Sequence, residues 1–198
     1  MVNRLLLSLT ALIVALSSSV AQASNNTLEL TVKTQITPST CTVQLQDRNN
    51  QPTATVDIGD VYLPAVRNKS NSQQFSLVFS HCEGLVENQA WVTVKPSTGC
   101  DGNGVGSGYK NALSGTGAAD GVSAEIWSTD TPAGSGAVQF TCASSTQRLI
   151  GIDVRNAKDQ QTVAEVFSTR IVPAAGSGSA NLQAGNFSTH TVFTVIYE

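Results

Sequence analysis

Apolar residues recur at every second position in one segment after another, and the breaks between segments collect Gly, Pro, Asn and Ser. This is the pattern of strands that bury one face, and no stretch of the mature chain shows helical spacing. The strands it predicts are Leu28 to Ile36, Cys41 to Leu45, Thr55 to Val61, Gln73 to Ser80, Ala90 to Lys95, Val122 to Trp127, Ala137 to Cys142, Leu149 to Val154, Val163 to Val172 and Phe187 to Tyr197. Two glycine-rich stretches, Gly99 to Gly121 and Pro132 to Gly136, lie too deep inside the pattern to be linkers between domains and are expected to be loops. About nine short strands beyond the N-terminal segment predict an all-β fold, a sandwich of two antiparallel sheets in one domain. Trp91 and Trp127 fall inside strand patterns, and burial in the core is the expectation for both.

The two ends of the pattern stand apart. Leu28, Leu30, Val32 and Ile36 share one face of the first segment, with Glu29, Thr31, Lys33 and Gln35 on the other. Phe193, Val195 and Tyr197 alternate to the penultimate position, in a strand that follows Gly185. A terminal strand of this kind is an edge unless another strand covers it.

Before the first of these segments comes a polar start with Arg4, an apolar run from Leu5 to Leu16 and the small residues of Ala21-Gln22-Ala23. That is the layout of a secretory signal peptide over residues 1–23, and the run is too short to span a bilayer. Removing 23 of 198 residues leaves 175, about one domain. The loss of Arg4 takes the formal charge from −3 to −4, and the remaining basic residues lie singly, so no nucleic-acid or anionic-membrane partner is expected. Four cysteines, Cys41, Cys82, Cys100 and Cys142, in an exported chain argue for two disulfides. Of the three connectivities, the sequential one is favoured, Cys41 with Cys82 and Cys100 with Cys142. No C-x-x-C occurs, and His81 and Cys82, as adjacent strand residues, face opposite ways, so neither a metal nor a cofactor is expected. The run Gly102 to Gly108 lacks the G-x-G-x-x-G spacing, a leading strand and a following helix, which leaves a flexible loop. With only His81 and His190, and no G-x-S-x-G, H-E-x-x-H or paired-carboxylate pattern, the chain is not expected to be an enzyme.

Taken together, the two ends resemble the pilins of the bacterial chaperone-usher pathway. An alternating apolar extension shortly before the first cysteine, a second cysteine about forty residues on, and a last strand that begins after glycine and ends in a penultimate tyrosine are all present. Interior stretches are similar too: Val56-Asp57-Ile58-Gly59-Asp60-Val61, Phe75 to Cys82, and Ala118 to Trp127. Two departures stand out. Thr34 occupies the place where type 1 pilins usually carry glycine, and Cys100 with Cys142 is a pair beyond the single disulfide of the major pilins. Both point to a minor or variant subunit.

The resemblance implies an incomplete immunoglobulin-like sandwich, completed by donor-strand complementation from a neighbouring subunit. Residues 24–40 would be the donor-strand extension, with Leu28, Leu30, Val32, Thr34 and Ile36 in the inserted strand, and 41–198 the pilin domain. Phe187, Phe193, Val195 and Tyr197 would form the groove strand that pairs first with a periplasmic chaperone. The partners implied are other pilin subunits in a head-to-tail polymer, that chaperone, an outer-membrane usher and a host receptor met through the assembled fibre. The location implied is a surface fimbrium reached through the periplasm, where the subunit supports adhesion. The rival expectation is a binding module, either a receptor-binding fibre tip or a secreted carbohydrate-binding sandwich. The mature chain has no room for a separate lectin domain, and a lone lectin would need exposed aromatic side chains.

Overall fold

A computed structural model describes residues 33–35, 37–143, 149–178 and 181–197. Two units divide the chain, Met1–Ile36 and Thr37–Glu198. Of the first, only Lys33, Thr34 and Gln35 are described, all exposed and outside any strand or helix. The expected strand Leu28 to Ile36 and the signal peptide therefore lie outside the described residues, apart from those three.

The second unit is all-β and immunoglobulin-like, with two antiparallel sheets. The larger has the order β1-β2-β7-β5-β4, with β1 Thr40–Asp47, β2 Gln73–Glu83, β4 Tyr109–Lys110, β5 Val122–Trp127 and β7 Thr162–Pro173. The smaller has the order β6-β3-β8, with β3 Gln89–Pro96, β6 Ile150–Asp153 and β8 Thr191–Tyr197. The alternation in β2 does what period two demands: Phe75, Leu77 and Phe79 are buried, while Gln74, Ser76 and Val78 are not. Facing them are Ala90, Val92 and Val94 of β3, and Phe167 of β7 stacks on Phe75 at 5.6 Å.

Several expected elements are corrected. Thr55 to Val61 forms no strand; its backbone bonds to side chains, Thr55 N–H to Thr53 Oγ1, Thr55 O from the Thr53 hydroxyl and Gly59 N–H to Asp57 Oδ1. Ala137 to Cys142 runs beside the end of β5 but pairs only through the isolated bridge of Gln139 with Trp127. The last strand starts at Thr191 and not at Phe187, because Ser188 is bonded to the chain around 111, its N–H to Asn111 Oδ1 and its O from Ala112 N–H, and only the Ser97 N–H to His190 O bond carries the β3 register one residue further back. A five-residue helix, α1 Leu63–Arg67, was not foreseen; Pro64 in its first turn was the available signal. The glycine-rich stretch is pinned: Asp101, buried, accepts from Gly108 N–H at 3.2 Å and Ala175 N–H at 2.9 Å.

Both tryptophans miss the core. Each is half-buried on the outer face of its strand, since the residues alternating with Trp91 and Trp127 are the ones that fill the interior. Trp127 lies under Arg170, whose guanidinium carbon is 5.5 Å from the ring centroid, and its Nε1–H donates to Glu125 Oε2 at 3.0 Å. Arg170 Nε is 2.7 Å from that same oxygen, in a buried pair that joins β5 to β7.

Candidate functional site

β8 and β1 are the strands that flank an opening in the sandwich. β8 pairs with β3 along its whole length, from Ala90 opposite Tyr197 to Pro96 opposite Thr191, and among the described residues no strand pairs with its other side. Among the described residues β1 likewise pairs with no strand but β2, its far edge meeting residues 51 to 53 near Asp47. At one end the two edges meet, where the Tyr197 hydroxyl donates to Cys41 O at 3.4 Å. Burial raises the pKa of that hydroxyl, and the bond to Cys41 opposes the rise.

Elsewhere the edges part around a groove of about 990 Å³. Its floor is core: Phe75, Val66, Ile126 and Ile171 all line it and are buried. Its walls are half-buried apolar side chains, Leu45 from β1, Val56, Ile58 and Val61 from the segment before α1, and Phe187 and Phe193 from the chain leading into and along β8. Phe193 points its ring edgewise at Phe75 and Phe167, with centroids 5.8 and 6.1 Å away. Asp57, Asp60, Tyr62 and His190 stand at the rim.

Close packing fixes the wall around Phe187. A Cβ on Gly185 would come within 2.5 Å of the Ala118 carbonyl carbon and the Ala119 nitrogen, so only glycine lets the two backbones approach. Asn186 then bridges Ala118, and Asn111 Nδ2 donates to both Ala119 O and Asn186 O.

The expected site residues fall out unevenly. Phe187 and Phe193 line the groove. Val195 and Tyr197 share Phe193's side of β8 and are half-buried, but lie beyond the groove lining, toward the closed end. Thr34 is exposed; Leu28, Leu30, Val32 and Ile36 lie outside the described residues. Leu45, Val56 and Ile58 were not singled out as groove residues, although the period-two spacing of the last two was the signal. Cysteine pairing follows the sequential scheme: Cys41 with Cys82 ties β1 to β2, and Cys100 with Cys142 ties the glycine-rich loop to the segment beside β5. His81 is exposed with Nδ1 3.2 Å from Ser80 Oγ, and His190 is exposed at the groove rim. Among the described residues no group of three or more His, Cys, Asp or Glu side chains is placed to hold a metal ion.

No protein-family profile matches the chain. The chain is similar to the uncharacterized fimbrial-like protein YadL of Escherichia coli (strain K12), at 31% identity over 191 residues that make up 96% of this chain and 94% of the relative.

Proposed function

The chain belongs to the family of fimbrial-like proteins, and from that membership we propose that it is a non-enzymatic structural subunit of a surface fimbrium whose open groove is filled by a strand from a second subunit. The observation that carries the reading is the groove itself, an apolar trough floored by core residues between two strand edges, with a period-two segment on its wall that has no backbone partner. An extended peptide laid there would cover the apolar floor and could pair with the free edge of β8 on one side and with residues 55–61 on the other, which is recognition by strand addition.

The donor in this scheme is the extension, residues 24–40, cleaved free of its signal peptide at Ala23. Leu28, Leu30, Val32 and Ile36 enter the neighbour's groove, and Thr34 sits among them where a smaller residue would pack closer. Burying four such side chains contributes about 6–12 kcal/mol before ordering costs. A domain's whole net stability is about 5–15 kcal/mol. Filling the groove and completing the fold are then one event, so the subunit needs a periplasmic chaperone to lend a strand until an outer-membrane usher hands it to the next subunit.

The test separates the two encounters. Val32→Asp or Ile36→Asp should abolish joining to the preceding subunit, scored by loss of the denaturant-resistant ladder of polymers, while the complex with the chaperone still forms. Polymerisation at wild-type yield in either variant would overturn the proposal.

A further inference from the structure

Two of the three most exposed large apolar side chains among the described residues stand at opposite ends of the groove. Tyr62, 77% exposed, is the N-cap residue of α1 and lines the groove together with His190 and Thr191, where β8 begins. Val86, 87% exposed, lies in the loop between β2 and β3, two residues past Gly84. That loop packs on the chain just before β1: the Ser39 hydroxyl donates to Gly84 O, a Cβ on Gly84 would lie 3.5 Å from Ser39 Cα, and Thr40 pairs with Glu83. Cys41 follows, and its carbonyl accepts from the hydroxyl of Tyr197, where β8 ends. Scattered singly, exposed apolar side chains need no explanation; the placement of these two does.

In the proposed reading, the strand that fills the groove is tied to a folded body at one end only. Its N-terminal end is free, and its C-terminal end runs on into Cys41 of the donating subunit. The two edges of the groove meet at the Tyr197 end and part beside Tyr62 and His190, so a strand with a body attached must leave by the parted end, Ile36 last. Between Ile36 and Ser39 stand only Thr37 and Pro38, and three Cα steps reach about 11 Å at most. The donating subunit therefore arrives with its Ser39 and Gly84 against the Tyr62 end of the acceptor. Val86, within about 7 Å of Gly84 along the chain, comes with it. Leu85 is half-buried against the core, so the loop presents Val86 outward.

We propose that Tyr62 of one subunit and Val86 of the next, a second copy of this chain, meet as the apolar centre of a contact between subunit bodies. The contact is additional to strand donation, on whose reading it rests. Both halves lie on the same polypeptide, one at the end where a donor arrives and the other at the end this chain brings when it donates, which is what a repeating head-to-tail interface requires. A different protein in either position would leave one of the two side chains without a use. Acidic side chains stand at both ends, Asp57 and Asp60 near Tyr62 and Glu83 and Glu87 near Val86, so burying the apolar pair, and not net charge, supplies the attraction. Little area is needed, because the inserted strand holds the two bodies together at an effective concentration on the order of millimolar.

The test follows assembly of the chain from residue 24 to residue 198 by its denaturant-resistant ladder while a peptide spanning residues 24–37 is added. The peptide competes for the groove alone, whereas a subunit brings Val86 as well. The peptide concentration that halves the ladder should fall at least fivefold in Tyr62→Ala and in Val86→Ala, and stay at the wild-type value in Tyr62→Phe and in Val166→Ala on the larger sheet. Combining Tyr62→Ala with Val86→Ala should add less than twofold, since one contact is lost only once. Peptide affinity itself is read on Val32→Asp subunits, whose own strand does not compete, and adding Tyr62→Ala there should change it less than twofold. Both side chains are exposed and Tyr62 makes no side-chain cap bond to α1, so the variants keep the fold. A halving concentration unchanged in Tyr62→Ala or in Val86→Ala overturns the body contact and leaves strand donation standing. Weakened peptide binding in Tyr62→Ala also overturns it, by assigning Tyr62 to the strand. A peptide that neither binds nor competes with the wild type overturns strand donation, and this contact with it.

Discussion

Replacing Phe193 with alanine tests whether the groove is built to be filled. In the chain alone Phe193 is half-buried and its packing rests on two edgewise contacts, 5.8 Å to Phe75 and 6.1 Å to Phe167. Each such pair contributes about 0.5–1.5 kcal/mol beyond area burial, so truncation of the unfilled subunit costs on the order of 1–3 kcal/mol. With a strand laid over it the same ring becomes fully buried, and the cost rises toward the 3–5 kcal/mol typical of Phe→Ala in a closed core. By linkage, the difference of about 2 kcal/mol must appear as weaker strand binding, roughly 30-fold. The assay is urea unfolding of residues 37–198 over a range of concentrations of a peptide spanning residues 24–37, from which the dissociation constant follows. Val166→Ala, on the outer face of β7, serves as the control and should leave peptide affinity within twofold. A Phe193→Ala subunit that is destabilised yet binds the peptide as tightly as the wild type would refute the reasoning, because the peptide would then be seated elsewhere.

Three further outcomes follow from the packing. Arg170→Met leaves Glu125 buried beside only Trp127 Nε1 and a distant Lys69 at 3.8 Å, and should cost about 3–5 kcal/mol in urea unfolding, whereas adding Glu125→Gln should recover at least half; a double variant no better than the single would sink the argument. Cys100→Ser with Cys142→Ser opens a bridge between residues 42 apart and should lower stability by about 4 kcal/mol on chain-entropy grounds, measured against the wild type under oxidising conditions, with an unchanged midpoint as the contrary result. Burial pushes the Tyr109 hydroxyl well above the ordinary tyrosine value, so its contribution is fully present below about pH 10 and is lost as pH climbs beyond that. Tyr109→Phe gives up the bond to Phe140 O, about 0.5–1.5 kcal/mol at neutral pH, and should flatten the alkaline fall; an equally steep fall would assign it to other groups.

What the sequence made legible is what local alternation decides. β2, β5 and β7 lie where their period-two runs put them: β2 alternates between a buried and an open face and pairs with long strands on both sides, and β5, buried on both faces, pairs along its whole length with β7. The fate of an apolar alternating residue on the other face was not legible. Trp91 and Trp127 occupy strand positions whose parity puts them outward, yet hydrophobicity alone argued for burial; parity relative to Ala90 and Val92, or to Ala124 and Ile126, was the better guide. Nor could spacing foresee that Ser188 would bond to Asn111 and Ala112 in place of a strand partner, since those contacts join parts of the chain far apart in sequence. Of the groove, the β8 wall was readable from the end of the chain, while Leu45 needed the knowledge that β1 is an edge.

The segment 55–61 carries the strongest argument about incompleteness, because it is where local pattern and global structure part. Val56 and Ile58 alternate as a strand should and turn half-buried side chains into the groove, but the backbone between them has no ladder. A sequence in which every local preference agrees with the fold leaves no such stretch; conflict between the two levels marks a functional place. Extended residues with an apolar face and unpaired backbone groups lose hydrogen bonds only if water is kept away, which happens when something covers the groove. On the proposed reading the covering element presents donors and acceptors along both of its edges, one set to β8 and one to 55–61. A side chain, a helix or a small molecule cannot do that, and an extended strand can. The same geometry says where such a strand would bind most weakly: at Gly59, where the N–H is already taken by Asp57 Oδ1, so that pairing there is interrupted and the wall must bend away.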